Sequence, residues 1–240
     1  MKIIKVRNYE EMSDIAAEYV TTLIKEKPDT VLGLATGSTP IGLYKRLIKD
    51  HNENKTSYEN IKTFNLDEYI GLDKNNSQSY HYFMHEHLFK NININKKNIY
   101  IPNGFAKDIN KECIEYNEKL KNNVIHLQIL GIGSNGHIGF NEPGTSFSSE
   151  VHVVKLDENT RKANSRFFNQ INEVPTYSIT MGIKNIMEAK QIILLASGNQ
   201  KANAIYDTIH GEVTENVPAS ILRTHPNIIV IVDEEASSLV

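Results

Sequence analysis

The sequence has a single cysteine, Cys113, and no tryptophan among its 240 residues. One thiol excludes an internal disulfide, so burial rather than cross-linking has to close the core. Cys113 falls at helical spacing with Ile109, Tyr116 and Leu120, which assigns it to packing. A run of about 18 apolar residues is absent, and the opening MKIIKVRNYEEMSD lacks the apolar stretch of a secretory signal. A cytoplasmic chain with no membrane contact is expected. A net positive charge is also lacking: the formal net charge of −3 argues against a nucleic-acid partner and for a small-molecule one. No stretch marks a linker, so residues 1–240 read as one domain, long enough for a full α/β core.

Strand and helix patterns alternate along what is there. IIKV (3–6) reads as a strand, and Asn8 with Glu11 three residues on caps a helix carrying Met12, Ile15, Ala16, Tyr19 and Leu23 on one face. TVLGLA (30–35), IKTFNL (61–66), VIHLQIL (124–130), TYSITMG (176–182), QIILLASG (191–198) and NIIVIVD (227–233) read as further strands, with VHVVKL (151–156) as an edge strand. Helical patterns fill most of the intervals. The expected class is α/β: a mostly parallel sheet covered by helices on both faces, doubly wound and Rossmann-like.

Glycine is concentrated where chemistry is expected. GIGSNGHIGFNEPG (131–144) follows a strand, and Gly131, Gly133 and Gly136 spell a dinucleotide fingerprint. That fingerprint requires a helix at its third glycine, whereas Gly139, Pro143 and Gly144 follow here, so the nucleotide reading is rejected. What remains is a loop presenting Asn135, His137, Asn141 and Glu142, in which a histidine and a carboxylate form a candidate proton-transfer pair. A tight turn with His137 capping a carbonyl fits the same residues.

Gly37, Ser38 and Thr39 follow TVLGLA, with Thr39 placed to cap a helix and Pro40 at its first position. Such an N-terminus suits a phosphate, and it suits an ordinary strand-to-helix turn as well. Lys201, in the first turn of a helix after QIILLASG, makes sense beside an anion. Asp67 leaves its strand at the carboxyl edge, where ligands of parallel sheets bind, while Glu68 points the other way and is read as solvated. His81 and His85, four apart, are read as a polar helix flank rather than a metal pair.

Taken in order, TGSTPIGLYKRL, FNLDEYIGL, GIGSNGHIGFNEPG, TRKANSRFF, TMGIKNIMEAK, SGNQKA and PASILRTHPN resemble the glucosamine-6-phosphate deaminase family over nearly the whole chain. The resemblance implies conversion of glucosamine 6-phosphate and water to fructose 6-phosphate and ammonia, without metal or organic cofactor. It implies Asp67 as the base moving a proton from C2 to C1, and His137 with Glu142 as the ring-opening pair. It further implies a phosphate held by Gly37, Ser38, Thr39, Lys201 and Arg166, with a lid around 156–178.

Two departures stand out. Many relatives carry aspartate where this chain has Asn135, which cannot take a proton; the relay shrinks to His137 and Glu142, with Asn135 orienting His137 by a hydrogen bond. Longer relatives are hexamers activated by the acetylated sugar phosphate through basic residues, where this chain has His152 and Val154, so no such activation is expected. The alternatives are a 6-phosphogluconolactonase, whose loop does not continue as GFNEP, and a non-catalytic sugar-phosphate sensor, which begins with a DNA-binding segment. Oligomeric state, a homo-oligomer included, and the choice between glucosamine and galactosamine epimers stay open.

Overall fold

Continuous apolar runs such as IILLA and IIVIVD have no polar face to offer water, and they pack as the centre of a sheet covered on both sides. The computed structural model describes residues 1–165, 168 and 170–240. In chain order these form β1 (Lys2–Val6), α1 (Tyr9–Glu26), β2 (Val31–Leu34), α2 (Ile41–Asn54), β3 (Lys62–Asn65), β4 (Asp67–Tyr69), α3 (Tyr80–His87) and β5 (Ile99–Tyr100). Then come α4 (Ile109–Lys121), β6 (Leu127–Leu130), β7 (His152–Lys155), α5 (Glu158–Asn164), β8 (Tyr177–Thr180), α6 (Ile183–Met187), β9 (Ile192–Ala196), α7 (Ala202–His210) and β10 (Ile228–Asp233).

Among the described residues seven strands pair in parallel in the order β1-β10-β9-β6-β2-β3-β5. Alternate residues of each strand enter opposite cores. Leu130, Leu194 and Val230 meet Tyr116 and Leu120 of α4 and Ile205 of α7 on one face. Ile129, Ile193 and Ile231 meet Val20 of α1, Leu43 and Leu47 of α2 and Met84 of α3 on the other. From β2 the chain moves outward to β3, and from β6 it goes to β9 on the other side, so the adjacent pair β2 and β6 forms the switch point of the sheet. A crevice opens at the carboxyl ends of such a pair.

The doubly wound α/β expectation holds, with local corrections. VHVVKL and TYSITMG do not join the main sheet; with β4 they make a second, antiparallel sheet in the order β4-β8-β7. The chain changes sheets at Leu66, whose N–H still donates to Leu34 O at 3.2 Å while its carbonyl accepts from Met181 N at 2.6 Å. Residues of β7 alternate between half-buried and exposed, as a strand with one covered face must. The two-residue β5 is too short to leave a periodic signal. Asn8 caps α1 as expected, its Oδ1 accepting from Glu11 N at 3.0 Å. Thr39 does not cap α2: Pro40 occupies the N-cap with helical φ and ψ of −82° and −4°, and no side chain closes that end.

Candidate active site

The crevice between β2 and β6 is a cleft of about 860 Å³. Its walls bring together the candidates drawn from separate stretches of sequence: Gly37, Ser38 and Thr39 after β2, Asp67 after β3, Asn135 and His137 after β6, and Lys201 after β9. Tyr9, Lys45, Tyr80 and Thr160 also line it; Lys45 lies within TGSTPIGLYKRL and Thr160 heads TRKANSRFF, but none of the four was singled out as a candidate. Arg166 lies outside the described residues. Lys201 stands at the N-cap of α7, after a single 3₁₀ turn, rather than inside the helix.

The loop after β2 turns at Gly37, whose φ of +92° is a left-handed conformation that favours glycine. Tyr9 on α1 straps this loop to α2: its hydroxyl donates to Ser38 O at 3.0 Å and accepts from Gly42 N at 2.7 Å. At the end of β9, Asp233 of β10 organises the loop leading to Lys201. Its carboxylate accepts from Ser197 Oγ at 2.5 Å and from Gly198 N at 3.1 Å. Both loops therefore reach the cleft on fixed supports.

In the loop after β6, the His137 ring lies directly over Gly133; a Cβ there would come within 2.3 Å of the ring. Glycine at this position is what gives the imidazole its place. His137 Nδ1 faces Glu142 Oε2 at 3.3 Å, an ion-pair distance that is off the line of a good hydrogen bond. The partner is thus a carboxylate, and the alternative of a histidine capping a carbonyl falls away. Asn135 Nδ2 donates to the same Oε2 at 2.8 Å, and its Oδ1 accepts from the His137 backbone N–H at 3.2 Å. Thr160 Oγ1 on α5 donates to the other carboxylate oxygen, Oε1, at 2.6 Å. Burial pushes the Glu142 carboxyl up, but the contacts from His137, Thr160 and Asn135 outweigh it and hold the group below its ordinary value. Asn141 faces inward rather than into the cleft: it is buried, and its Nδ2 bonds the carbonyls of Ile138 and Met181, each at 2.8 Å.

Asp67 opens the second sheet with 6% of its surface exposed. It pairs with Thr180 in register, and Thr180 Oγ1 accepts from Phe140 N at 3.1 Å, so one threonine ties the carboxylate strand to the histidine loop. Burial first, and then the charge of Glu68, raise the Asp67 carboxyl to about 8. Glu68 is not solvated: it is 1% exposed. It accepts from the N–H groups of Tyr69, Tyr80 and His81 at 2.9–3.0 Å and lies 2.9 Å from His81 Nδ1. The backbone of α3's first turn is the reason, since its orphan N–H groups are satisfied by this carboxylate. His81, read as a helix flank, is its side-chain partner.

A buried carboxyl of raised proton affinity and a histidine–carboxylate pair across one cleft are suited to moving protons on a bound ligand. A family model described as glucosamine-6-phosphate isomerases/6-phosphogluconolactonase matches residues 7–230. A glucosamine-6-phosphate deaminase of Thermoanaerobacter pseudethanolicus is 56% identical, over 100% of this chain and 95% of its own length. The chain belongs to the glucosamine-6-phosphate deaminase family. A solved structure of a monomeric glucosamine-6-phosphate deaminase superposes with a TM-score of 0.98 at 48% identity, covering 100% of both chains. A 6-phosphogluconolactonase from Trypanosoma cruzi, at 20% identity over 100% of this chain and 96% of its own, reaches a TM-score of 0.82 and shares the fold.

Proposed function

We propose that the cleft converts glucosamine 6-phosphate and water to fructose 6-phosphate and ammonia. The supporting observation is that Asp67 and His137, the latter backed by Glu142, line the same cleft as the Gly37–Ser38–Thr39 loop and Lys201. The loop and Lys201 hold the phosphate, which anchors the unreactive end and brings C1 and C2 to the proton-handling groups. With Nδ1 turned to Glu142, Nε2 of His137 serves the cleft, moving a proton between the anomeric hydroxyl and the ring oxygen to open the ring. Asp67 takes the proton from C2 and delivers it to C1; water then displaces ammonia from the resulting C2 imine. The cationic amine of the bound sugar favours the ionised form of Asp67, offsetting its burial. Arg166 and residues 156–178 complete this reading as a second phosphate contact and a lid. A charged sugar phosphate does not cross a bilayer unaided, which supports a cytoplasmic location.

The test is stoichiometric release of ammonia and fructose 6-phosphate from glucosamine 6-phosphate, in the presence of a chelator. Hydrolysis of 6-phosphogluconolactone without ammonia release, or tight sugar-phosphate binding with no turnover, would contradict the reading.

Lys201→Ala is expected to raise KM about tenfold or more with a smaller change in kcat, because the lysine binds the end of the substrate that does not react. An unchanged KM in steady-state assays would move the phosphate elsewhere.

Asn135→Asp places a second carboxylate where Nδ2 now donates to Glu142 Oε2 at 2.8 Å. Two carboxyls that close share a proton, so the pair takes it up at higher pH than Glu142 does alone. Ring opening can be read in isolation as anomer interconversion by exchange NMR in an Asp67→Asn background. Its acidic limb is expected to rise by about one pH unit or more in the double variant. Superimposable profiles would show that Asn135 does not keep Glu142 ionised.

A further inference from the structure

Helix α5 touches the ring-opening pair through one side chain. Thr160 is 7% exposed, lines the cleft, and donates from Oγ1 to Glu142 Oε1 at 2.6 Å. The segment is also held in place by other contacts: Leu156 N donates to Thr176 O at 2.9 Å, Leu156 packs against Tyr69 and Phe140, and Arg161 Nη2 donates to Val174 O at 3.0 Å. The two carboxylate oxygens of Glu142 therefore have separate partners. Oε2 is shared by His137 and Asn135, from its own loop, while Oε1 belongs to a different element.

We infer that Thr160 is a positioning residue for ring opening, holding the Glu142 carboxylate ionised and turned toward His137, so that the pair is complete only when α5 is docked. The geometry gives the reason. With Oε1 bonded to α5, rotation about the end of the glutamate side chain is blocked and Oε2 stays in front of the imidazole. A hydrogen bond to an ionised acceptor is also among the stronger ones, and it favours the charged form. Among the described residues, the titratable group facing Glu142 is His137; Asn135 and Thr160 are uncharged. Glu215, from the segment packed on the same loop, spends its carboxylate on Phe147 N at 2.9 Å.

The inference rests on the deaminase reading, and its test separates the two. Thr160→Val keeps the shape and removes the donor, while Thr160→Ser keeps the donor. Ring opening is followed as anomer interconversion of glucosamine 6-phosphate by exchange NMR in the Asp67→Asn background, across pH, with thermal unfolding run on each protein. Thr160→Val is expected to slow interconversion about tenfold and move its acidic limb upward, with Thr160→Ser close to the parent in both. Equal rates and limbs in the parent and Thr160→Val would overturn the inference, as would a Thr160→Ser protein as impaired as Thr160→Val. If the unsubstituted protein releases no ammonia from glucosamine 6-phosphate, the deaminase reading fails instead. Should Thr160→Val not fold, Thr160→Ala takes its place and is expected to show the same upward shift.

Discussion

Asp67→Asn is expected to lower kcat by about 10²–10⁴-fold or more while substrate still binds. Asparagine matches aspartate in shape but cannot accept a proton, so the transfer from C2 to C1 loses its carrier. The fold should tolerate the change, because it removes one of two adjacent carboxyls, Asp67 and Glu68, that are 6% and 1% exposed. Steady-state kinetics with a direct binding measurement make the test; near-normal kcat would take the role away from Asp67. The pH dependence of the unsubstituted protein follows from the same group. The base acts in its ionised form, and burial together with the Glu68 charge raises its carboxyl to about 8. At lower pH the free enzyme holds the proton it needs to shed, so kcat/KM should climb with pH through about 8. A profile already flat from pH 5 upward would contradict this environment for the base.

His137→Gln is expected to reduce protein-catalysed anomer interconversion by about 10²-fold or more, since glutamine can hydrogen-bond but cannot relay a proton at neutral pH. The effect should be local: the ring sits above Gly133, in a place kept clear of any Cβ, and its removal leaves that loop's bond from Gly133 N to the residue 137 carbonyl intact. Exchange NMR of the sugar phosphate with the variant reads the loss. Undiminished interconversion would assign ring opening to another group.

The sequence made the parallel core legible because its strands are continuous apolar runs and its helices carry stripes at helical period. Asp67, His137, Glu142 and Lys201 were legible for a related reason: each lies on the segment that leaves the carboxyl end of a run that reads as a strand, and such ends converge in an open parallel sheet. The second sheet was not legible. TYSITMG looks like any buried strand, and nothing local records that Leu66 hands the chain from one sheet to another. Glu68 was misread for the same reason: alternation gave its direction, but not the first turn of α3 waiting there with orphan N–H groups. Asn135 showed as a departure from the family pattern, yet its use as a donor to Glu142 appears only in the folded loop. Tyr9 carries no motif, and Thr160 heads TRKANSRFF without any role of its own being legible there; they reach the cleft because α1 and α5 pack beside it.

The central claim is that a proton leaves C2 and one is delivered to C1. The direct measurement is NMR of the product formed from glucosamine 6-phosphate carrying deuterium at C2. The account predicts fructose 6-phosphate with its deuterium at C1 or washed into water, and no such product from Asp67→Asn at comparable rate. Ammonia released alongside an aldose 6-phosphate that keeps deuterium at C2 would mean simple replacement of the amine by water, and would contradict it.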